Sequence, residues 1–321
     1  MFKSKPTLMS RREALAAVAG AAGVLGITGL YGGVLTASPG TAKMTLGCGT
    51  VVFRQRPLKE ALERIRRAGY DYIETQAVGP WCPHVDVSRD DPQSFRDLVR
   101  SVGFSGVTGL WSSHGAIIPD PESVEGITRT IRWARQAGIP MVHAGDGRKP
   151  DTMSEQEALK ILRERLSKIL EVAEECRVHL LIEPHGTFSM TAEGLNKIMG
   201  VSASRWLGIN YDTANVHHVT LPPTSDDGVP WTLVGQRQDE VTTLKAVVNH
   251  VRHVHMKDSV GSKCVTLGKG TVNLRGCIAV LKSHGYQGVL SLETEGDLGV
   301  DEAQGMIEAS RTYLQEALAG G

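Results

Sequence analysis

Four polar residues close apolar stretches in the second half of this 321-residue chain. Glu183 follows LLI in LLIEPHG, and Asp212 follows GINY in LGINYDTAN. His255 lies in VRHVHMKD, and Glu293 closes VLSL in VLSLETEG. Short apolar runs bounded by turn residues read as buried strands. Taken singly, each carboxylate is equally well a helix cap or a salt-bridge partner. Taken together, at the ends of consecutive strands, independent caps are a poor account. Two Glu, one Asp and one His form a set of hard oxygen donors with one imidazole. Such a set suits one divalent metal ion (Mn²⁺, Co²⁺, Mg²⁺ or Zn²⁺) and needs no thiolate.

His253 and His255 are two residues apart, so on a strand they face the same side. His255 is nearer the end where the carboxylates gather, and it is assigned to the metal. His253 then sits one layer deeper, as a hydrogen-bonded core residue or a support for the ligands. Lys257 follows at the strand's mouth, where it contacts either substrate or a surface salt-bridge partner.

The elements that must position these residues repeat along the chain. An amphipathic helix, a Gly and a short apolar run recur at 58–74, 95–110, 127–145 and 277–293. In the first, Leu58, Leu62, Ile65 and Ala68 share a helical face. Gly69, Gly103, Gly138 and Gly285 stand where helices end in the left-handed conformation. The longest helix begins at Ser154 with Glu157 three residues on, the pattern of a capping box. Leu159, Leu162, Leu166, Ile169 and Ala173 line one of its faces. Strands are expected near 44–48, 70–74, 104–109, 140–143, 178–183, 206–212, 251–256 and 288–293. Strands alternating with helices imply parallel βα units. Eight of them over residues 43–321 fit a (β/α)8 TIM barrel, with strand ends converging on its C-terminal mouth. No GxGxxG follows the first strand, which argues against a dinucleotide fold. The long polar, Pro-containing segment 214–236 reads as a lid over that mouth.

The motifs LLIEPHG, GINYDTAN, HVHMKD, LGKGTVN and GYQGVLSLETE resemble the sugar phosphate isomerase/epimerase family. This is the xylose isomerase-like barrel group, which also includes endonuclease IV. The resemblance covers most of residues 44–316 and is strongest over 178–295. It implies that Glu183, Asp212, His255 and Glu293 hold one divalent metal. It also implies that Glu183 and Glu293, on opposite sides of the substrate, move the proton. That chemistry needs a Lewis acid beside a carbonyl and a base and an acid on two faces.

Departures from the pattern narrow the reading. Ketose 3-epimerases carry a His, a Glu and an Arg where this chain has Asn215, Ser189 and Gly261. His185 and Asn215 are therefore candidate contacts to a different substrate, with a hydrogen bond within the loop the alternative for His185. His143 and His114 are candidates to line the pocket or equally buried, satisfied histidines. His143 and His114 also resemble two extra ligands of endonuclease IV. Its further His and Asp-x-His are missing, since Asn215 and KCV stand in their places. With formal net charge zero and 22% charged residues, nothing indicates a nucleic-acid partner.

Residues 1–42 carry Lys3, Lys5, Arg11 and Arg12, then no charge after Glu13 until Lys43. Ser10-Arg11-Arg12-Glu13-Ala14-Leu15 resembles the twin-arginine export signal. Two outcomes stay open: cleavage after Ala42, or an uncleaved membrane anchor. The expected location is periplasmic, with membrane contact only through this segment. Five scattered cysteines, without CxxC, exclude a dense disulfide framework and leave one bridge open. Export points to an unphosphorylated sugar, keto-sugar or cyclitol, because sugar phosphates are mainly cytosolic. The expected function is a metal-dependent isomerase or epimerase. The alternatives are a keto-sugar lyase or dehydratase using the same site, and a non-catalytic sugar-binding barrel. Assembly into a homo-oligomer stays open.

Overall fold

The computed structural model describes residues 44–217, 220–221, 231–232, 238–296 and 298–320. The export segment 1–42 lies outside them, as does most of the expected lid at 214–236. Of that lid, the structure describes the turn at 214–217 and a two-residue antiparallel pair, Thr220–Leu221 with Trp231–Thr232.

The eight expected apolar runs become β1 (Thr45–Gly49), β2 (Tyr72–Gln76), β3 (Gly106–Ala116), β4 (Met141–Gly145), β5 (His179–Ile182), β6 (Leu207–Asp212), β7 (Val251–Met256) and β8 (Val289–Leu292). All pair in parallel, and β8 closes on β1 to complete the barrel. Each strand is followed by a helix: α1 (Leu58–Arg67), α2 (Pro92–Ser101), α3 (Ser123–Ala137), α4 (Glu155–Cys176), α5 (Ala192–Met199), α6 (Glu240–Val247), α7 (Leu274–Ser283) and α8 (Val300–Ala319). The (β/α)8 expectation therefore holds. No described helix is long and apolar enough to cross a membrane.

Local chemistry accounts for the boundaries. Ser154 and Glu157 form the capping box at the start of α4. Asp91, Thr191, Asp239 and Asn273 accept backbone N–H bonds at the starts of α2, α5, α6 and α7. Gly138 ends α3 at φ +80°, and Gly69, Gly103 and Gly285 also adopt positive φ. The apolar faces of α1 and α4 pack on the strands, with Leu62, Ile65, Leu162, Leu166 and Ile169 fully buried. Each such side chain contributes about 1.5–3 kcal/mol of burial. The five cysteines are all free, so the bridge left open by the sequence is not formed.

Two register shifts matter for the site. Ile73 and Glu74 of β2 face Val107 and Gly109 of β3, leaving Thr108 extra. Ile209 and Asn210 of β6 face Val251 and His253 of β7, leaving Arg252 extra. Bulges of this kind re-aim the side chains next to them.

Candidate metal centre and cavity

Register delivers the four strand-end residues to one place. Asp212 pairs with His255 across β6 and β7, and Ser291 pairs with His255 across β7 and β8. Glu183 and Glu293 each extend the ladder by one backbone bond, to Ala144 and Met256. One ligand atom from each of Glu183, Asp212, His255 and Glu293 lies within 4.8 Å of the others. All four residues are buried. His255 Nδ1 is 3.1 Å from Glu293 Oε2, 3.3 Å from Glu183 Oε2 and 3.8 Å from Asp212 Oδ2.

Lys257 Nζ lies 2.6 Å from Glu293 Oε2 and 3.1 Å from Asp212 Oδ2. Both oxygens are buried and, beyond this ion pair, accept no hydrogen bond. A hard divalent cation is the partner that such oxygens fit, and this donor set could hold one.

The carboxyls do not titrate alike. Burial raises Glu183, but the charges of His255 and His185 outweigh it and pull the group down to about 2. Burial dominates at Glu293 and, with the Glu183 charge, pushes it up to about 7 against the pull of His255 and Lys257. Burial also opposes charge on His255, yet Glu293, Glu74 and Glu183 hold its pKa well above the ordinary value. Asp212 is lowered, with Lys257 and His255 overcoming its burial.

Beneath this cluster lies a second one: Glu74, His143, His253 and His255. His253 is engaged on both ring nitrogens, Nδ1 with Asn210 Oδ1 at 2.9 Å and Nε2 with Thr108 Oγ1 at 3.1 Å. The two histidines of HVH are thus divided as expected, His255 among the carboxylates and His253 a layer below. Glu74 was not anticipated. Its signal was present, because YDYIE ends in a carboxylate just as the later strands do. Asn210 was also missed: its Nδ2–H donates to Glu183 Oε2 at 2.8 Å.

A cavity of about 250 Å³ opens on the cluster. Its wall includes Glu183, Glu293, His185, Gln76, Trp81 and Trp111. His185 Nδ1 is 3.3 Å from Glu183 Oε1, and its ring stands 5.2 Å from that of Trp111. His185 is thus placed to meet a ligand. Glu295, which the sequence reading passed over, also lines the wall and lies 3.3 Å from Lys257 Nζ.

Asn215, Lys257 and His143 stand behind the wall. Asn215 Nδ2–H donates to Glu183 Oε1 at 3.2 Å and to Pro184 O at 3.1 Å. Lys257 is 2% exposed, which excludes a surface salt bridge. His143 is fully buried, with Nδ1 3.0 Å from Glu74 Oε1, and it does not line the cavity. His114 does line it, paired with Asp120 at 2.8 Å.

The departures from the 3-epimerase pattern have structural roles. Ser189 Oγ accepts the His185 N–H at 2.8 Å, and Asp146 accepts from Phe188 N at 2.6 Å, which together shape the loop carrying His185. A Cβ at Gly186 would run into Asp146 Oδ1. Gly261, at φ +59°, turns the hairpin Asp258–Val260/Lys263–Val265.

Comparison with known proteins agrees with this architecture. An inosose dehydratase of Clostridium perfringens is 24% identical over 181 residues, 50% of this chain. The matched part spans about half of that relative, 55% of its length. The structure of a D-tagatose 3-epimerase-like protein superposes with a TM-score of 0.68 at 21% identity, covering 86% of this chain and 99% of that one. An L-ribulose 3-epimerase superposes with a TM-score of 0.67 at 18% identity, covering 87% and 95%. At such identities the structural likeness speaks for the fold. The family model described as xylose isomerase-like TIM barrel matches residues 62–317, so the chain belongs to that family.

Proposed function

We propose that this protein is a divalent-metal-dependent isomerase or epimerase acting on an unphosphorylated sugar, keto-sugar or cyclitol. One observation carries the reading: Glu183 and Glu293 both belong to the four-residue cluster and both reach the cavity wall. Glu183, Asp212, His255 and Glu293 would hold the metal. When bound, it supplies Lewis-acid stabilisation of charge developing at a carbonyl oxygen. One glutamate removes the proton from the carbon beside the carbonyl, and the other returns a proton to complete the isomerisation or epimerisation. Asn215 and Asn210 hold the two Glu183 oxygens, and Lys257 holds Glu293. His185 and Gln76 present polar groups to substrate hydroxyls, while Trp81 and Trp111 offer apolar faces to its C–H groups.

Charge supports a neutral substrate. Among the described residues, the wall carries Glu183, Glu293, Glu295 and Asp120 but no Arg or Lys. The wall itself thus offers a phosphate no arginine or lysine with which to pair. An export signal at residues 1–42, cleaved or kept as an anchor, would place this chemistry in the periplasm.

The relatives named inosose dehydratase favour a second reading, elimination of water from a keto-sugar or keto-cyclitol. One carboxylate would take the C–H proton, and the departing hydroxide would leave as water with a proton from the other. Incubation of the full chain with Mn²⁺ and a panel of keto-sugars and inososes in D₂O tests both. Deuterium uptake at the carbon beside the carbonyl without loss of water supports the isomerase or epimerase. An unsaturated, dehydrated product supports the lyase. Neither deuterium uptake nor product across the panel would overturn both enzyme readings.

A further inference from the structure

Glu74 is the buried carboxylate that the proposed chemistry does not use. We infer that it is a positioning residue for His255, accepting the Nε2–H bond that turns Nδ1 toward Glu183, Asp212 and Glu293. The inference rests on the metal-site reading above.

The geometry on the two sides of the His255 ring differs. His255 Nε2 lies 2.8 Å from Glu74 Oε1 and 2.8 Å from Oε2. His255 Nδ1 faces the three carboxylate oxygens at 3.1–3.8 Å. A neutral imidazole carries one N–H and one lone pair. A histidine that binds a cation is neutral, and with its N–H committed to Glu74 the lone pair would be on Nδ1, aimed at the place where that cation would sit. A carboxylate behind a ligand histidine sets both its tautomer and its rotation.

The surroundings hold Glu74 in place. It is 2% exposed, and its Oε1 is 3.0 Å from His143 Nδ1. His143 in turn lies against Gly109, where a Cβ would come within 2.5 Å of its Cε1. The register shift at Ile73/Glu74 sits directly at the residue concerned. The Asn210 amide nitrogen lies 3.1 Å and 3.3 Å from the two His255 ring nitrogens, which restricts rotation of that ring.

A second cation bound by Glu74, His143 and His253 is the competing account. The hydrogen bonding argues against it. Both ring nitrogens of His253 already have partners, and the Asn210 amide nitrogen stands 3.2 Å from His143 Nδ1. A cation held by His253 would have to displace one of its two hydrogen bonds.

The test uses the full chain loaded with Co²⁺, beside Glu74→Gln and Glu74→Ala. Ion stoichiometry comes from mass spectrometry, and affinity from competition with a chromophoric chelator. Proton NMR of the Co²⁺ form should show one strongly shifted, slowly exchanging imidazole N–H, absent from His255→Gln. The wild type should bind one ion. Glu74→Ala should weaken binding by roughly 10–100-fold and lose the slow exchange of that N–H. Glu74→Gln, which keeps an acceptor oxygen in the same volume, should fold normally and show a smaller loss of affinity. Unchanged affinity and an unchanged N–H signal in both variants would overturn the inference and leave the metal site standing. Two ions in the wild type, with one lost in each variant, would overturn it in favour of a second cation. No ion bound by the wild type would overturn the metal-site reading itself.

Discussion

The Lys257 ammonium stands 2.6 Å from Glu293 Oε2 with both side chains buried, so the charge of each depends on the other. Removing one partner of a buried pair leaves an uncompensated charge, at a cost of about 3–5 kcal/mol. Lys257→Met should therefore lower the unfolding free energy by that order in urea titrations with chelator present. Saturating Mn²⁺ should reduce the deficit, because a bound cation supplies the missing positive charge. Equal stability of variant and wild type in chelator would show that the pair is not coupled as described.

The two histidines of HVH should separate by metal content. His255→Gln should lose the ion, because its Nδ1 is the only imidazole nitrogen placed among Glu183, Asp212 and Glu293 in the described residues. His253→Gln should retain it and lose stability instead, by about 1–3 kcal/mol, as Asn210 and Thr108 lose buried partners. Mass spectrometry of both purified proteins decides the matter, and loss of the ion only in the His253 variant would reverse the assignment.

Glu183→Gln and Glu293→Gln keep the shape of the cavity wall but not the proton-transfer groups. Each should slow substrate deuterium exchange by roughly 10²–10⁴-fold. An exchange rate near that of the wild type in either variant would remove that residue from the proposed pair.

Asp258 accepts backbone N–H bonds from Ser259 and Gly268 at 2.8 Å, Gly270 at 2.9 Å and Val272 at 3.2 Å. It thereby ties the end of β7 to the LGKGTVN segment. Asp258→Ala leaves several buried donors unsatisfied and should cost about 3 kcal/mol. A change in midpoint without a change in slope on urea unfolding is the expected result, and no change in midpoint would contradict it.

The cap of α6 should be visible in the acid limb of stability. Hydrogen bonds from the Thr242 hydroxyl and N–H hold Asp239 below its ordinary value of 3.8. A carboxyl with a depressed folded pKa contributes stability that is present above the unfolded value and is lost as pH falls through the folded one. Asp239→Asn keeps an acceptor but cannot titrate, so its stability should fall less steeply than that of the wild type below about pH 3.8. Parallel acid limbs would show that the cap does not contribute to the pH dependence.

The barrel and the membership of the main cluster are legible in local patterns along the chain. Helical and strand periodicities are local, as are the capping box at Ser154 and the glycines that end helices, so they can be read without coordinates. Glu183, Asp212, His255 and Glu293 were legible for a related reason: parallel βα topology sends every strand end to the same mouth. The division between His253 and His255 followed from the two-residue period of a strand.

Tertiary structure decided the rest, because depth and partner choice are not local properties. Lys257 reads equally well as a surface or a buried lysine until β6 and β8 bring Asp212 and Glu293 to it. His143 ends an expected strand, yet β4 runs on to Gly145 and keeps it inside the barrel, fully buried. Glu74 lies in the first half of the chain, 181 residues from His255, and only closure of the barrel joins them. The register shifts at Glu74 and Asn210 leave no mark in the sequence, and they accompany the support beneath the site.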